Sequence, residues 1–273
     1  MPDVVAHRGI GTPPAVPLVM GIVNVTPDSF SDGGKFLYAQ SAIAHGLLLI
    51  EEGASVLDIG GESTRPGAHP VDVDTELARV IPVVEGLAGH CRISIDTQKP
   101  EVARAAVAAG ATLINDVSAS LWPVAAELGV GWIAMHMQGE PGTMQADPHY
   151  ENVVAEVKSF LIERANLASE AGVTEIWVDP GFGFGKSDAH NLSLLAHLAD
   201  IVGMGWPVVV GTSRKAMLGR LLAASDGVGE SVPTDDRLAG SIATEVWAMH
   251  SGASMIRAHD VRSAVQAAKV VAA

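Results

Sequence analysis

Short apolar runs in this sequence are followed repeatedly by a side chain that can ionise or hydrogen-bond. In chain order these are Asn24, Glu62 with Arg65, Asp96, Asn115 with Asp116, His136, Asp179, Ser213 with Arg214 and Lys215, and Arg257 with His259. Singly, each Asn or Asp is better explained as a turn former or as the N-cap of a following helix. Their succession is harder to explain that way. Several stand directly behind runs such as residues 92–95 and 113–114, so they should point into a core, where an unpaired polar group costs about 1–3 kcal/mol. A polar ligand would satisfy them. Arg65, Lys186, Arg214, Lys215, Arg257 and His259 fall beside the same points and together form a candidate anion site. Two further segments could serve a ligand. Asp179-Pro180-Gly181-Phe182-Gly183-Phe184-Gly185-Lys186 offers an acid, two aromatics able to sandwich a planar ring, and a lysine. The polar stretch 24–34, with Phe30 inside it, reads as a lid.

The elements that must position these groups are legible from periodicity. Apolar, β-branched runs at residues 18–24, 55–60, 92–97, 112–117, 132–136, 176–180, 207–212 and 255–259 make eight candidate strands. Ala-rich amphipathic stretches lie between them, at residues 39–52, 74–87, 100–109, 152–171 and 188–203 among others. Gly53, Gly110, Gly172 and Gly252 supply helix stops. Nearly continuous apolar strands, each followed by a helix, imply a parallel sheet covered on its outer face. Eight such units imply one closed (β/α)8 TIM barrel, whose chemistry gathers at the carboxyl ends of the strands. An open doubly wound sheet is the alternative, but the first strand runs into Asn24-Val25-Thr26-Pro27-Asp28, which is no Gly-rich dinucleotide fingerprint. Residues 1–17 read as an N-terminal extension and 18–273 as the barrel domain.

The balance of 17 Lys and Arg against 31 Asp and Glu, a net charge of −14, argues against a nucleic-acid partner. It also means that anionic substrates require the few cations to be concentrated locally. Cys91, the single cysteine, excludes an internal disulfide and suits a reducing compartment. With neither a leader-like segment nor a charge-free run long enough to span a bilayer, the expectation is a cytoplasmic protein without a membrane partner.

Eight ordered blocks carry a family resemblance: Asn24 to Gly34, Asp58-Ile59-Gly60-Gly61-Glu62-Ser63-Thr64-Arg65-Pro66-Gly67, Ser94-Ile95-Asp96-Thr97, Asn115-Asp116, Met135-His136-Met137, Asp179 to Lys186, Ser213-Arg214-Lys215 and Arg257-Ala258-His259-Asp260. In register from about Val19 to Val271, they resemble the bacterial dihydropteroate synthases. The resemblance implies a (β/α)8 barrel, a homodimer, and condensation of 6-hydroxymethyl-7,8-dihydropterin diphosphate with 4-aminobenzoate, with Mg2+ as cofactor. It implies that Asp96, Asn115, Met135, Asp179, Gly183 and Lys215 bind the pterin. Asn24 would hold Mg2+ and, with Thr64, Arg257 and His259, the diphosphate. Thr64, Arg65, Pro66, Phe30, Phe184, Ser213 and Lys215 would line the 4-aminobenzoate pocket. Asp96, Asp179, Lys215, Arg257 and His259 would be the catalytic set.

The sequence departs from the family pattern after Asn115-Asp116, where the loop 117–123 runs on without its usual Gly-rich stretch, and at Ala258, where Val is commoner. Other readings are a sulfonamide-insensitive accessory copy of the same enzyme, a non-catalytic pterin-binding paralogue, and a pterin-dependent methyltransferase, which would not need the cations at 213–215 and 257–259. An aldolase using Lys215 in a Schiff base is more distant.

Overall fold

A computed structural model describes residues 16–26, 35–63 and 68–273. Its strands are β1 (Leu18–Asn24), β2 (Val56–Gly60), β3 (Arg92–Asp96), β4 (Leu113–Asp116), β5 (Gly131–Met135), β6 (Ile176–Asp179), β7 (Val209–Val210) and β8 (Met255–Ala258). The helices are α1 (Lys35–Glu51), α2 (Val73–Leu87), α3 (Pro100–Ala108), α4 (Trp122–Leu128), α5 (Val153–Glu170), α6 (Asp188–Ala196), α7 (Leu198–Val202), α8 (Ala216–Asp226), α9 (Leu238–His250) and α10 (Val261–Val271). All eight strands run parallel in the order β6-β5-β4-β3-β2-β1-β8-β7. The ends of that order meet through a parallel bridge between Val178 and Val208, with Val178 N–H donating to Pro207 O at 3.0 Å. The sheet is thereby the closed (β/α)8 barrel that the alternation predicts.

Some boundaries differ from those read in the sequence. The single stretch 188–203 is two helices, α6 and α7, meeting at His197, which leaves the helical conformation at φ −107° and ψ 24°. Strand β7 is only two residues long, because its neighbour β6 meets this segment through one bridge.

The strand period of two sorts the core into two shells. Val19, Val23, Leu57, Ile59, Ile93, Ile95, Ile114, Trp132, Ala134, Ile176, Val178, Val210 and Ile256 pack outward with the helices. Met20, Val56, Leu113, Ile133, Trp177, Val209 and Met255, one from each of seven strands, form a separate buried cluster inside the barrel. Below this plug the amino-terminal end is braced by Arg92, whose Nη1 and Nη2 donate to Glu175 Oε1 and Oε2 at 2.8 and 2.7 Å. Above it, period two dictates the next inward residues: Asp58 after Val56, Asn115 after Leu113, Met135 after Ile133, Asp179 after Trp177, Gly211 after Val209 and Arg257 after Met255. Ser94 and Asp96 alternate with the outward Ile93 and Ile95 and so face in as well. An apolar floor with a polar ring resting on it is what the fold delivers to the site.

Asp116 takes the opposite side. Completely buried, it accepts from the backbone N–H groups of Ser118, Ser120 and Leu121 at 2.9, 2.7 and 2.6 Å, and from Trp132 Nε1 at 3.2 Å. It builds the loop into α4, including Ala119 at φ 50°, and leaves Asn115 alone to face the cavity. The Gly-poor loop 117–123 is therefore an ordered turn held by one carboxylate.

Candidate active site

Four side chains from four strands form a continuous polar network on the apolar floor. Asp58 Oδ2 accepts from Asn115 Nδ2 at 2.9 Å and from Arg257 Nε at 2.6 Å, and Arg257 Nη2 donates to Asp96 Oδ2 at 2.8 Å. Asp58 Oδ1 and Ser94 Oγ, in register on neighbouring strands, are buried without a hydrogen-bond partner among the described residues. Burial pushes the Asp96 carboxyl up to about 7, with the negative charge of Asp58 adding to the rise and Arg257 opposing it. Burial alone would lower the pKa of Arg257, but the Asp58 and Asp96 carboxylates more than offset this and hold the guanidinium charged. Asp179 is raised by burial and stabilised in part by the Gly181 N–H on its Oδ1 at 2.7 Å and by the charges of Lys215 and Arg257.

The segment following β6 owes its shape to its glycines. Gly181, Gly183 and Gly185 have φ of +67°, +78° and +61°, a region that side-chain-bearing residues avoid. A Cβ on Gly181 would stand 1.9 Å from His136 O, and one on Gly185 would stand 2.2 Å from Gln138 O. The Gly-x-Gly-x-Gly run is thus a tight backbone crossing against the segment after β5. Lys186 locks it: almost fully buried, its Nζ donates to Gly181 O and Phe184 O at 3.0 Å, to His136 O at 3.3 Å, and to His136 Nδ1 at 2.9 Å. Burial lowers Lys186 to about 7 and His136 to about 3, so the imidazole is neutral and can accept. Lys186, read in the sequence as a mouth cation, is instead spent on the loop. Phe182 turns into the outer core, whereas Phe184 lies under Lys215, whose Nζ is 4.0 Å from the ring centroid. Only one of the two aromatics is therefore paired with a candidate ligand-binding group. Gly181→Ala should cost several kcal/mol of stability, because a clash with backbone cannot relax as a side chain could. Chemical denaturation checks this, and a loss under 1 kcal/mol would refute it.

At the ends of β7 and β8, His259 N–H donates to Ser213 Oγ at 3.2 Å, and His259 Nδ1 lies 3.2 Å from the same oxygen. Arg214, at φ 56°, donates through Nε and Nη2 to both oxygens of Asp260 at 2.9 and 2.5 Å. Arg214 is thus neutralised by Asp260, which corrects its inclusion in the anion cluster. Asn24 ends β1 in register with Gly60. Glu62, at the base of the next segment, accepts from Val71 N–H, Gln98 Nε2 and Lys99 Nζ at 2.8, 3.0 and 2.6 Å, and Lys99 also reaches Glu76.

The structure thus brings Asp96, Asn115, Asp179 and Arg257 together inside the barrel, with Met135 on the same inward face of β5. Gly183 and Lys215 stand next to one another: a Cβ on Gly183 would lie 3.3 Å from Lys215 Cδ. Ser213 and His259 form a second pair. Thr64, Arg65, Pro66 and Phe30 lie outside the described residues, as does most of the expected lid. Asp58 has no role in the sequence reading, because it lies inside β2 and not at a strand end. The signal was available: a carboxylate inside the run Val56-Leu57-Asp58-Ile59 is costly unless it is paired.

Residues 20–259 match the pterin-binding enzyme family. The chain is 49% identical over 265 residues to the dihydropteroate synthase of Escherichia coli (strain K12), covering 94% of this chain and 91% of the relative. It also resembles two solved structures of the Xanthomonas albilineans dihydropteroate synthase. The one with 4-aminobenzoic acid has a TM-score of 0.85 at 51% identity, covering 93% of this chain and 92% of that one. The one in complex with 7,8-dihydropteroate has a TM-score of 0.81 at 47% identity, covering 93% and 92%.

Proposed function

Because the chain belongs to the dihydropteroate synthases of the pterin-binding enzyme family, we propose that the polar ring on the apolar floor is its pterin site and that the groups after β7 and β8 receive the diphosphate. The enzyme joins 6-hydroxymethyl-7,8-dihydropterin diphosphate to 4-aminobenzoate, giving 7,8-dihydropteroate and diphosphate. The observation that carries the residue assignment is the Asn115–Asp58–Arg257–Asp96 network. It presents acceptors and a fixed cation over an apolar plug, suited to a flat ring with an N–H-rich edge.

Asp96, Asn115 and Asp179 pair that edge, Met135 and Gly183 flank the ring, and Lys215 closes over it from Phe184. Arg257 and His259 stand where negative charge grows as the carbon–oxygen bond to diphosphate breaks, the electron pair leaving with the diphosphate. The buried carboxylates of Asp96 and Asp179 face the cationic methylene carbon left behind. The arylamine nitrogen forms the new carbon–nitrogen bond, and its proton passes to solvent. No side-chain nucleophile takes part. Ser213, Phe184 and Lys215 border the 4-aminobenzoate position, with Thr64, Arg65, Pro66 and Phe30 assigned to the same wall.

Among the described residues, no group of three or more acidic, histidine or cysteine side chains gathers to hold a metal. A divalent cation here would draw its oxygens mainly from substrate and water, and the Asn24 carboxamide fits as its protein oxygen. Mg2+ held there would neutralise diphosphate charge. A homodimer is also part of this reading, supported by Leu221, Leu238 and Trp247, exposed large apolar residues on the adjoining helices α8 and α9. Trp247→Glu should shift sedimentation toward the monomer. An unchanged dimer, or a monomeric parent, would reject that surface.

Formation of pteroate from the pterin diphosphate and 4-aminobenzoate in a coupled assay tests the function. Tight pterin binding without product would leave a binding protein and overturn the reading.

A further inference from the structure

Asp58 bonds two of the other three side chains of the ring, as many as Arg257 does, yet it belongs to none of the substrate-facing roles above. We propose that Asp58 is a positioning residue for this reaction: its carboxylate fixes the Asn115 amide and the Arg257 guanidinium and sets the charge state of Asp96 beside the pterin. The inference rests on the pterin reading of the ring.

The geometry carries it in three steps. A carboxylate only accepts, so the amide of Asn115 must turn Nδ2 toward Asp58 Oδ2, at 2.9 Å. One N–H is thereby committed, and the Asn115 carbonyl oxygen becomes the acceptor offered to a ligand. The same Oδ2 receives Arg257 Nε at 2.6 Å, which fixes the fork so that Nη2 reaches Asp96 at 2.8 Å. Asp58 Oδ1, buried and without a partner among the described residues, leaves charge that Arg257 and Asn115 do not fully neutralise. Asp96 feels that charge. The ionisable groups bearing on Asp96 are Asp58 on β2, Arg257 on β8, Glu76 on α2 and Lys215 before α8. Asp58 and Glu76 oppose its ionisation, and the two cations favour it.

Replacing the carboxylate by an amide removes one like charge and lets residue 58 donate as well as accept, so Asn115 is no longer held in one orientation. Asp58→Asn and the smaller Asp58→Ser should therefore act alike. The Asp96 titration, followed by 13C-carboxyl NMR on the unliganded protein, should move down from about 7 toward the ordinary carboxylate range. KM for the pterin diphosphate should rise about tenfold, while KM for 4-aminobenzoate stays unchanged. A purely structural role would instead lower melting and raise both KM values together. An unmoved Asp96 titration, or equal rises in both KM values, overturns the proposal. If neither variant folds, the parent still decides: a single Asp96 step in the ordinary carboxylate range would refute the coupling. The NMR titration needs no substrate, so a parent that makes no pteroate would sink the functional reading alone.

Discussion

Asp96→Asn should lower kcat by roughly 10²–10³-fold while leaving the protein as stable as the parent or more so. The variant removes a carboxylate from beside a developing cation, a change of the size seen when one electrostatic partner is deleted from a preorganised site. Stability should not suffer, because Arg257 keeps Asp58 at 2.6 Å and one member of a like-charged buried pair is gone. Since the free carboxyl sits at about 7, the parent's kcat/KM for the pterin substrate should also rise with pH through that value as the ionised form accumulates. This limb should disappear in Asp96→Asn. Steady-state kinetics from pH 5.5 to 8.5, normalised to folded protein, with parallel thermal melts, provide the check. Undiminished turnover together with a sharply lower melting temperature would make Asp96 structural.

Removing Arg257 should have the second large effect, and the network makes it different from simple loss of an anion contact. Arg257→Ala leaves Asp58 and Asp96 facing each other in a buried ring with no guanidinium between them. Breaking a buried pair in this way typically costs about 3–5 kcal/mol, and losing the contact to diphosphate should cost a further 2–5 kcal/mol of its affinity, roughly. The stability loss should depend on pH in a definite direction. In the parent, the Asp96 folded pKa of about 7 already lies above its ordinary value of 3.8, the reverse of the usual aspartate case. Protonation therefore stabilises the fold as pH falls through that window. Deleting the cation that holds it down widens the gap, so the variant should be weakest near pH 8 and recover as the pH is lowered toward 5. Melting curves at the two ends, with calorimetric titration of diphosphate at neutral pH, test both parts. Equal melting temperatures for variant and parent at pH 8, or equal diphosphate affinity, would show that Arg257 does not bind the ring together as argued.

The sequence by itself determined the barrel, because eight nearly continuous apolar runs alternating with amphipathic helices have few other solutions, and the ends of those runs named Asp96, Asn115, Asp179, Lys215 and Arg257. Local pattern could not say which polar groups are spent within the fold. Lys186 and Arg214 look like mouth cations in the chain, yet one fills a cage of carbonyls and the other is neutralised by Asp260. Their partners are set by backbone crossings between segments far apart in sequence. Asp116 and Asn115 are neighbours in the chain, and the strand pleat alone sends one to cap a loop and the other into the cavity. Asp58 shows the same limit most clearly: its contacts, Asn115 and Arg257, lie 57 and 199 residues away. Only closure of the sheet brings the inward side chains of two other strands onto one carboxylate, and a pairing energy that depends on that closure leaves no trace in any one segment.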